Sequence, residues 1–167
     1  MKRYIYKQLL AWKNEKEHKP LILNGARQVG KTYILREFGR NEYKRMAFFS
    51  LDRDQKALEI FNKGGRATDM LMALSAICHE DITPHDTLVV LDEIQNCPKA
   101  LEALKFFCEE TPEIDIVVAG SLLGLSIHSG VSYPVGKVEE LHLYPMTFLE
   151  FLEAMGKTQL VNLLENK

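Results

Sequence analysis

The chain has 167 residues, 46% hydrophobic and 26% charged, with 21 basic and 23 acidic side chains and a formal net charge of −2. This fits one folded domain with a buried core, and the near balance of charge excludes a whole-chain field that would draw nucleic acid or a membrane surface. No apolar run approaches the roughly 20 residues of a membrane helix, and Met1-Lys2-Arg3-Tyr4 leads into no signal-peptide core, which predicts a cytoplasmic protein.

Tyr4, Ile5, Leu9 and Trp12 recur at helical spacing, so an amphipathic helix is expected within about residues 1–18, its apolar stripe on the core. Pro20-Leu21-Ile22-Leu23 reads as the first strand. Behind it comes Gly25-Ala26-Arg27-Gln28-Val29-Gly30-Lys31-Thr32, which fits the phosphate-binding pattern G-x-x-x-x-G-K-[ST]. Gly25 and Gly30 allow backbone conformations closed to residues with a Cβ, so consecutive N–H groups can turn inward on an anion. Lys31 brings a flexible point charge for the β- and γ-phosphates, and the Thr32 hydroxyl can ligate a bridging Mg²⁺. A helix is predicted over 32–38, ending before Gly39, with its positive N-terminal end at the loop. Candidate nucleotide-binding residues are thus Gly25, Ala26, Arg27, Gln28, Val29, Gly30, Lys31, Thr32 and Tyr33.

A second strand is expected over 42–52, a loop over Asn62-Lys63-Gly64-Gly65-Arg66, and a helix over 69–79. Thr87-Leu88-Val89-Val90-Leu91 is a continuous apolar run of the kind buried on both faces of a parallel sheet, with Asp92-Glu93 at its carboxyl end. Asp92 would hold Mg²⁺ through water, and Glu93 would orient or polarise the attacking water; the plain alternative is two acids that end a strand and cap the next turn. A helix is predicted from Pro98 to Glu110. Residues 114–119 form another strand ending in Gly120-Ser121, which sets Ser121 near a γ-phosphate or water unless it only begins a turn or caps a short helix at Leu122-Leu123-Gly124. A flexible loop is expected over 126–136, a fifth strand over 138–143 and a helix over 147–155. Strands and helices alternate, which predicts an α/β fold with a parallel sheet covered on both faces. Glu93, Lys31 and Ser121 are the catalytic candidates, and Thr32 and Asp92 the metal candidates.

In this order, Pro20 to Thr32, Leu91-Asp92-Glu93-Ile94-Gln95 and Ala119-Gly120-Ser121 resemble prokaryotic AAA-superfamily ATPases of the archaeal and STAND-like, AAA_14 type. Tyr133-Pro134-Val135-Gly136-Lys137 and Leu141 to Phe151 resemble the stretch that closes the ATPase core in that family. The resemblance implies a P-loop fold with strand order 5-1-4-3-2, ATP and Mg²⁺ as ligands, and hydrolysis coupled to conformational change. It implies a single core over residues 1–167 with the start of a C-terminal helical segment over about 146–167. Family members commonly have Arg where this chain has Lys137, and a point charge does not replace a planar fork, so an arginine-finger role does not carry over simply. They also continue into lid-like helices and a domain resembling restriction endonucleases. Neither is found in these residues, which predicts a piece of a longer protein that binds nucleotide and turns it over slowly.

Cys78, Cys97 and Cys108 lack C-x-x-C spacing, and the five histidines lack ligand spacing, so neither a zinc site nor a disulfide framework is expected. Arg36, Arg40, Lys44 and Arg45 form the one basic cluster, but no aromatic interleaving supports a nucleic-acid surface. No N-K-x-D tetrapeptide is present to read guanine, and a P-loop kinase is disfavoured because no Arg follows Arg66. Gln95, two residues past Glu93, is a candidate for orienting Glu93 or capturing a polar neighbour, and it is the resemblance that gives it weight. The alternative to an ATPase is a nucleotide-dependent switch that binds a protein partner, or itself, with little hydrolysis.

Overall fold

Three apolar runs form the centre of a parallel sheet in the computed structural model, which describes residues 3–121 and 133–166. Strands β1 (Leu21–Asn24), β3 (Thr87–Asp92) and β4 (Asp115–Gly120) are buried at every position, as strands covered on both faces must be. Strands β2 (Arg45–Ser50) and β5 (Glu139–His142) are only partly buried and form the two edges. The order is β2-β3-β4-β1-β5, with every pairing parallel. This is the expected order 5-1-4-3-2 read from the other edge.

Side-chain alternation divides the core in two. Leu21, Leu23, Val90, Val117 and Ala119 pack under α1 (Tyr4–Asn14) and α2 (Lys31–Glu42). Ile22, Val89, Leu91, Ile116 and Val118 pack under α3 (Gln55–Lys63), α4 (Ala67–Cys78) and α5 (Pro98–Glu110). Ile5, Leu9 and Trp12 bury the predicted stripe of α1, and the Trp12 indole N–H donates to the Lys19 carbonyl at 2.8 Å. After β5 the chain forms α6 (Phe148–Ala154) and α7 (Thr158–Glu165). A capping box starts α6: Thr147 and Glu150 bond each other's backbone N–H groups.

Several boundaries differ from expectation. Helix α2 does not stop at Gly39 but runs to Glu42, because the glycine lets α2 press onto Met46, whose Sδ occupies the place of a Cβ. The second strand is correspondingly shorter, Arg45–Ser50 in place of 42–52. Helix α3 was not expected; Asp54 caps it by accepting from the Ala57 N–H at 3.1 Å, and Ala57 and Phe61 bury one face. Helix α4 begins at Ala67, so the loop at 62–66 is only a tight link through Gly64 and Gly65, both at positive φ. The short helix expected at Leu122-Leu123-Gly124 lies outside the described residues, as does the loop over 126–136 apart from 133–136.

At the amino ends of the strands, away from the phosphate loop, lies a small polar knot. His18 Nε2 meets Asp115 Oδ1 at 2.5 Å, and the Tyr43 hydroxyl donates to Asp115 Oδ2 at 2.8 Å. The charged carboxylate raises the His18 pKa, chiefly through that hydrogen bond and against the opposing effect of burial.

Candidate nucleotide site

The site lies at the carboxyl ends of the sheet, where open α/β folds receive ligands. Gly25 to Gly30 leave β1 and α2 starts at Lys31, with Gly30 as its N-cap at φ 98° and no side-chain cap. The first N–H groups of α2 therefore have no side chain in front of them. Gly25 is required by packing: a Cβ there would lie 2.6 Å from the Leu143 carbonyl oxygen. Gln28 also has positive φ, 62°, without the freedom of glycine.

Lys31 is buried and its ammonium donates to the carbonyls of Gly25 and Ala26 at 2.7 and 2.6 Å. Burial lowers its pKa, while the nearby Glu93 and Asp92 carboxylates pull it back up. Thr32 Oγ1 donates to Asp92 Oδ2 at 2.5 Å, so the first turn of α2 is bonded to the end of β3. Asp92 Oδ1 accepts from the Glu93 N–H at 3.0 Å. Glu93 takes φ 57°, which turns the chain off the strand into a 3₁₀ turn at Ile94–Asn96 and aims its carboxylate into the cavity. Gln95 Nε2 donates to Glu93 Oε2. Two of the four non-glycine residues at positive φ among the described residues thus belong to this site, as expected where local strain is retained for function.

One open cavity of about 660 Å³ collects Arg27, Gln28, Gly30, Lys31, Thr32, Tyr33, Glu93 and Ser121. Asp92 lies behind Thr32, and Gly25 and Ala26 contribute the carbonyls that hold Lys31. Val29 differs: its carbonyl accepts from Arg3 Nη1 at 3.3 Å. The same buried guanidinium bonds the Tyr144 carbonyl at 2.7 Å and Glu150 Oε1 at 3.2 Å, so one side chain ties the loop to β5 and α6. Burial pushes the Glu150 pKa up, but the Thr147 and Tyr4 N–H groups and the Arg3 charge outweigh it and hold it low.

Two cavity residues escaped the sequence reading, Asp52 just past β2 and Asn96 in the 3₁₀ turn. Their signal was position alone, beyond the carboxyl end of a strand. Lys137 and Arg66 do not line the cavity. Lys137 pairs with Glu109 at 3.3 Å on the surface. Three of the four residues of the basic cluster are partnered: Arg36 lies 3.8 Å over the Phe48 ring, Lys44 bonds Asp86 at 3.3 Å and Arg45 bonds Thr83 at 3.4 Å.

These residues fit a nucleoside triphosphate with Mg²⁺. The uncapped helix start and the glycine cradle suit phosphate oxygens, Lys31 has only carbonyls to bond, and Thr32 and Asp92 converge as two oxygen donors. No cluster of three or more His, Cys, Asp or Glu residues suited to a metal occurs among the described residues. An ion here would complete its oxygen shell from phosphate and water, the usual manner of Mg²⁺. No described helix is long and apolar enough to cross a membrane.

Residues 17–152 match the family model AAA_14, described as an AAA domain. A search of curated proteins gives no match. Among solved structures, the chain is similar to Drosophila ORC bound to DNA, with a TM-score of 0.61 and 16% identity over 96% of this chain and 48% of that one. It is also similar to the Aeropyrum pernix Orc1 protein in complex with DNA, with a TM-score of 0.56 and 17% identity over 92% of this chain and 47% of that one. At such identities the likeness is one of fold, and the chain spans about half the length of either structure. With four fifths of its length matched and the strand order and loop in place, the chain belongs to the AAA domain family AAA_14.

Proposed function

We propose that residues 1–167 form a single AAA-type core that binds ATP with Mg²⁺, hydrolyses it and changes conformation with nucleotide state. The observation that carries this reading is the convergence of Lys31, the Thr32–Asp92 hydrogen bond and Glu93 on one cavity at the start of α2. The loop N–H groups from Gly25 to Gly30 and the start of α2 bind the phosphates, and Lys31 exchanges its two carbonyl partners for β- and γ-oxygens. Thr32 and Asp92 would hold Mg²⁺, which when bound would supply positive charge to the phosphates. Glu93 accepts a proton from the attacking water or orients it, and Ser121 bonds the γ-phosphate or that water.

Arg27 is the one cavity arginine, so further positive charge on the transferred phosphate is assigned to a protein partner or a second copy. ATP over GTP rests on the family, and a cytoplasmic location on the sequence. A DNA partner is not carried over from the two similar structures, whose likeness to this chain is one of fold.

The test is calorimetric titration with Mg²⁺·ATP and Mg²⁺·GTP beside Lys31→Ala, followed by phosphate release on the same samples. Lys31-dependent binding with release is the expected result. Binding without release favours the nucleotide-dependent switch, and no binding by the wild type overturns the nucleotide site.

A further inference from the structure

We infer that Gln95 is a positioning residue for Glu93, seated on Gly120 and anchored to Asn24 through one internal water. Its geometry stands alone, and only its effect on turnover rests on the hydrolytic reading above.

Strand alternation decides which side chains meet here. Ile22 and Val118 face the layer of α3, α4 and α5, so Asn24 and Gly120, each two residues further on, face it as well. They are also partners in register between β1 and β4. Gly120 brings no side chain to that face, and the turn after β3 occupies the space. A Cβ on Gly120 would lie 2.6 Å from Ile94 Cγ2 and 2.8 Å from Gln95 Oε1. The Gln95 amide is therefore seated against the strand by its oxygen, with its nitrogen donating to Glu93 Oε2. The reverse orientation would set an amide oxygen against a carboxylate oxygen.

Gln95 Oε1 is buried with no hydrogen-bond partner. Asn24 is 1% exposed, and its Oδ1 and Nδ2 are also without partners. Asn24, in register with Gly120, brings its two unpartnered atoms to the same sheet face as Gln95 Oε1, and each of the three would cost the fold about 1–3 kcal/mol if left so. One buried water makes about three hydrogen bonds to groups of this kind. The result is a rigid series from the end of β1 through the glutamine to the carboxylate. It fixes one oxygen of Glu93 and leaves the other free to accept. Gln suits the position because it donates to the carboxylate without adding charge.

The test begins on the nucleotide-free chain. The side-chain amide protons of Gln95, assigned by their loss in Gln95→Leu, are expected to exchange with solvent roughly tenfold or more slowly than those of exposed Gln159. Gly120→Ala and Asn24→Leu should each abolish that protection. With Mg²⁺·ATP, Gln95→Leu should lower kcat on the order of a hundredfold while the nucleotide Kd stays within twofold, as expected for a misplaced reacting group. Gln95→Leu added to Glu93→Gln should lower it no further. An unprotected Gln95 amide in the wild type overturns the seat, and a protected one with wild-type kcat in Gln95→Leu overturns the positioning role. If the wild type binds nucleotide but releases no phosphate, the hydrolytic reading fails instead, and protection lost in Gly120→Ala still supports the seat.

Discussion

Thr32 Oγ1 and Asp92 Oδ2 lie 2.5 Å apart, a hydrogen bond that joins the first turn of α2 to the last residue of β3 across 60 positions of sequence. In the nucleotide-free chain it satisfies a carboxylate that is only 4% exposed. Thr32→Ala should therefore cost about 1–2 kcal/mol in denaturant unfolding, and Thr32→Ser much less. Both Thr32→Ala and Asp92→Asn should also remove the Mg²⁺-dependent part of ATP affinity in titrations with and without the ion. Unchanged Mg²⁺ dependence in both variants would take these residues out of the metal site.

Lys31 should separate binding from stability. Its folded pKa lies below the ordinary 10.5 because burial disfavours the charge. The unfolded chain thus binds this proton more readily, and the charged lysine costs the fold stability as pH drops through 10.5 to the folded value. Lys31→Met is expected to abolish Mg²⁺·ATP binding and to leave the melting temperature unchanged or higher. A large fall in melting temperature would mean that lost binding reflects unfolding.

Glu93→Gln should keep nucleotide affinity and lower phosphate release by roughly 10²- to 10⁴-fold, the range associated with a removed general base. The amide preserves shape and removes proton acceptance. Turnover within a few-fold of wild type would assign the water to another group, and Asp52 at the cavity wall is the carboxylate to test next.

The His18–Asp115 pair predicts a pH dependence of stability unrelated to the nucleotide site. The folded pKa of His18 is raised above 6.5. Its contribution is complete below pH 6.5 and is lost as pH rises through the folded value. Unfolding free energies measured from pH 5.5 to 9 should decline across that window, and His18→Gln should flatten the decline. An equal decline in His18→Gln would assign it to other groups.

Lys137→Ala should leave phosphate release unchanged and cost at most about 1 kcal/mol, because its pairing with Glu109 is an exposed one. A loss of turnover without a loss of stability would reopen a role for this position in trans.

The motif-bearing parts of the fold were legible because they are local. A buried parallel strand is a continuous apolar run, and the loop signature fixes glycines, lysine and threonine by adjacency. Helix α3 was not legible: Asp54 caps it and Ala57 and Phe61 lie one turn apart, but two buried residues are too short an apolar face to mark a helix. Gly39 was misread because its helix-breaking tendency was weighed without Met46, its partner on β2. Gly120 was passed over beside Ser121, since the space a glycine leaves is known only when its filler, Gln95, is known. No spacing rule joins His18 to Asp115 or Arg3 to Glu150; topology alone brings them together.

The Arg3 clasp bears on the order of events in folding. Its partners Val29, Tyr144 and Glu150 are separated from it by 26, 141 and 147 residues, so the last two bonds close very long loops. Contacts of such separation form late, after the local helices and the inner strands have paired. On the ribosome, β1 and α2 can therefore emerge and pack well before the guanidinium beneath Val29 is held in place by Tyr144 and Glu150. The phosphate loop thus precedes the far side of its own clasp, which closes only when residue 150 has been added.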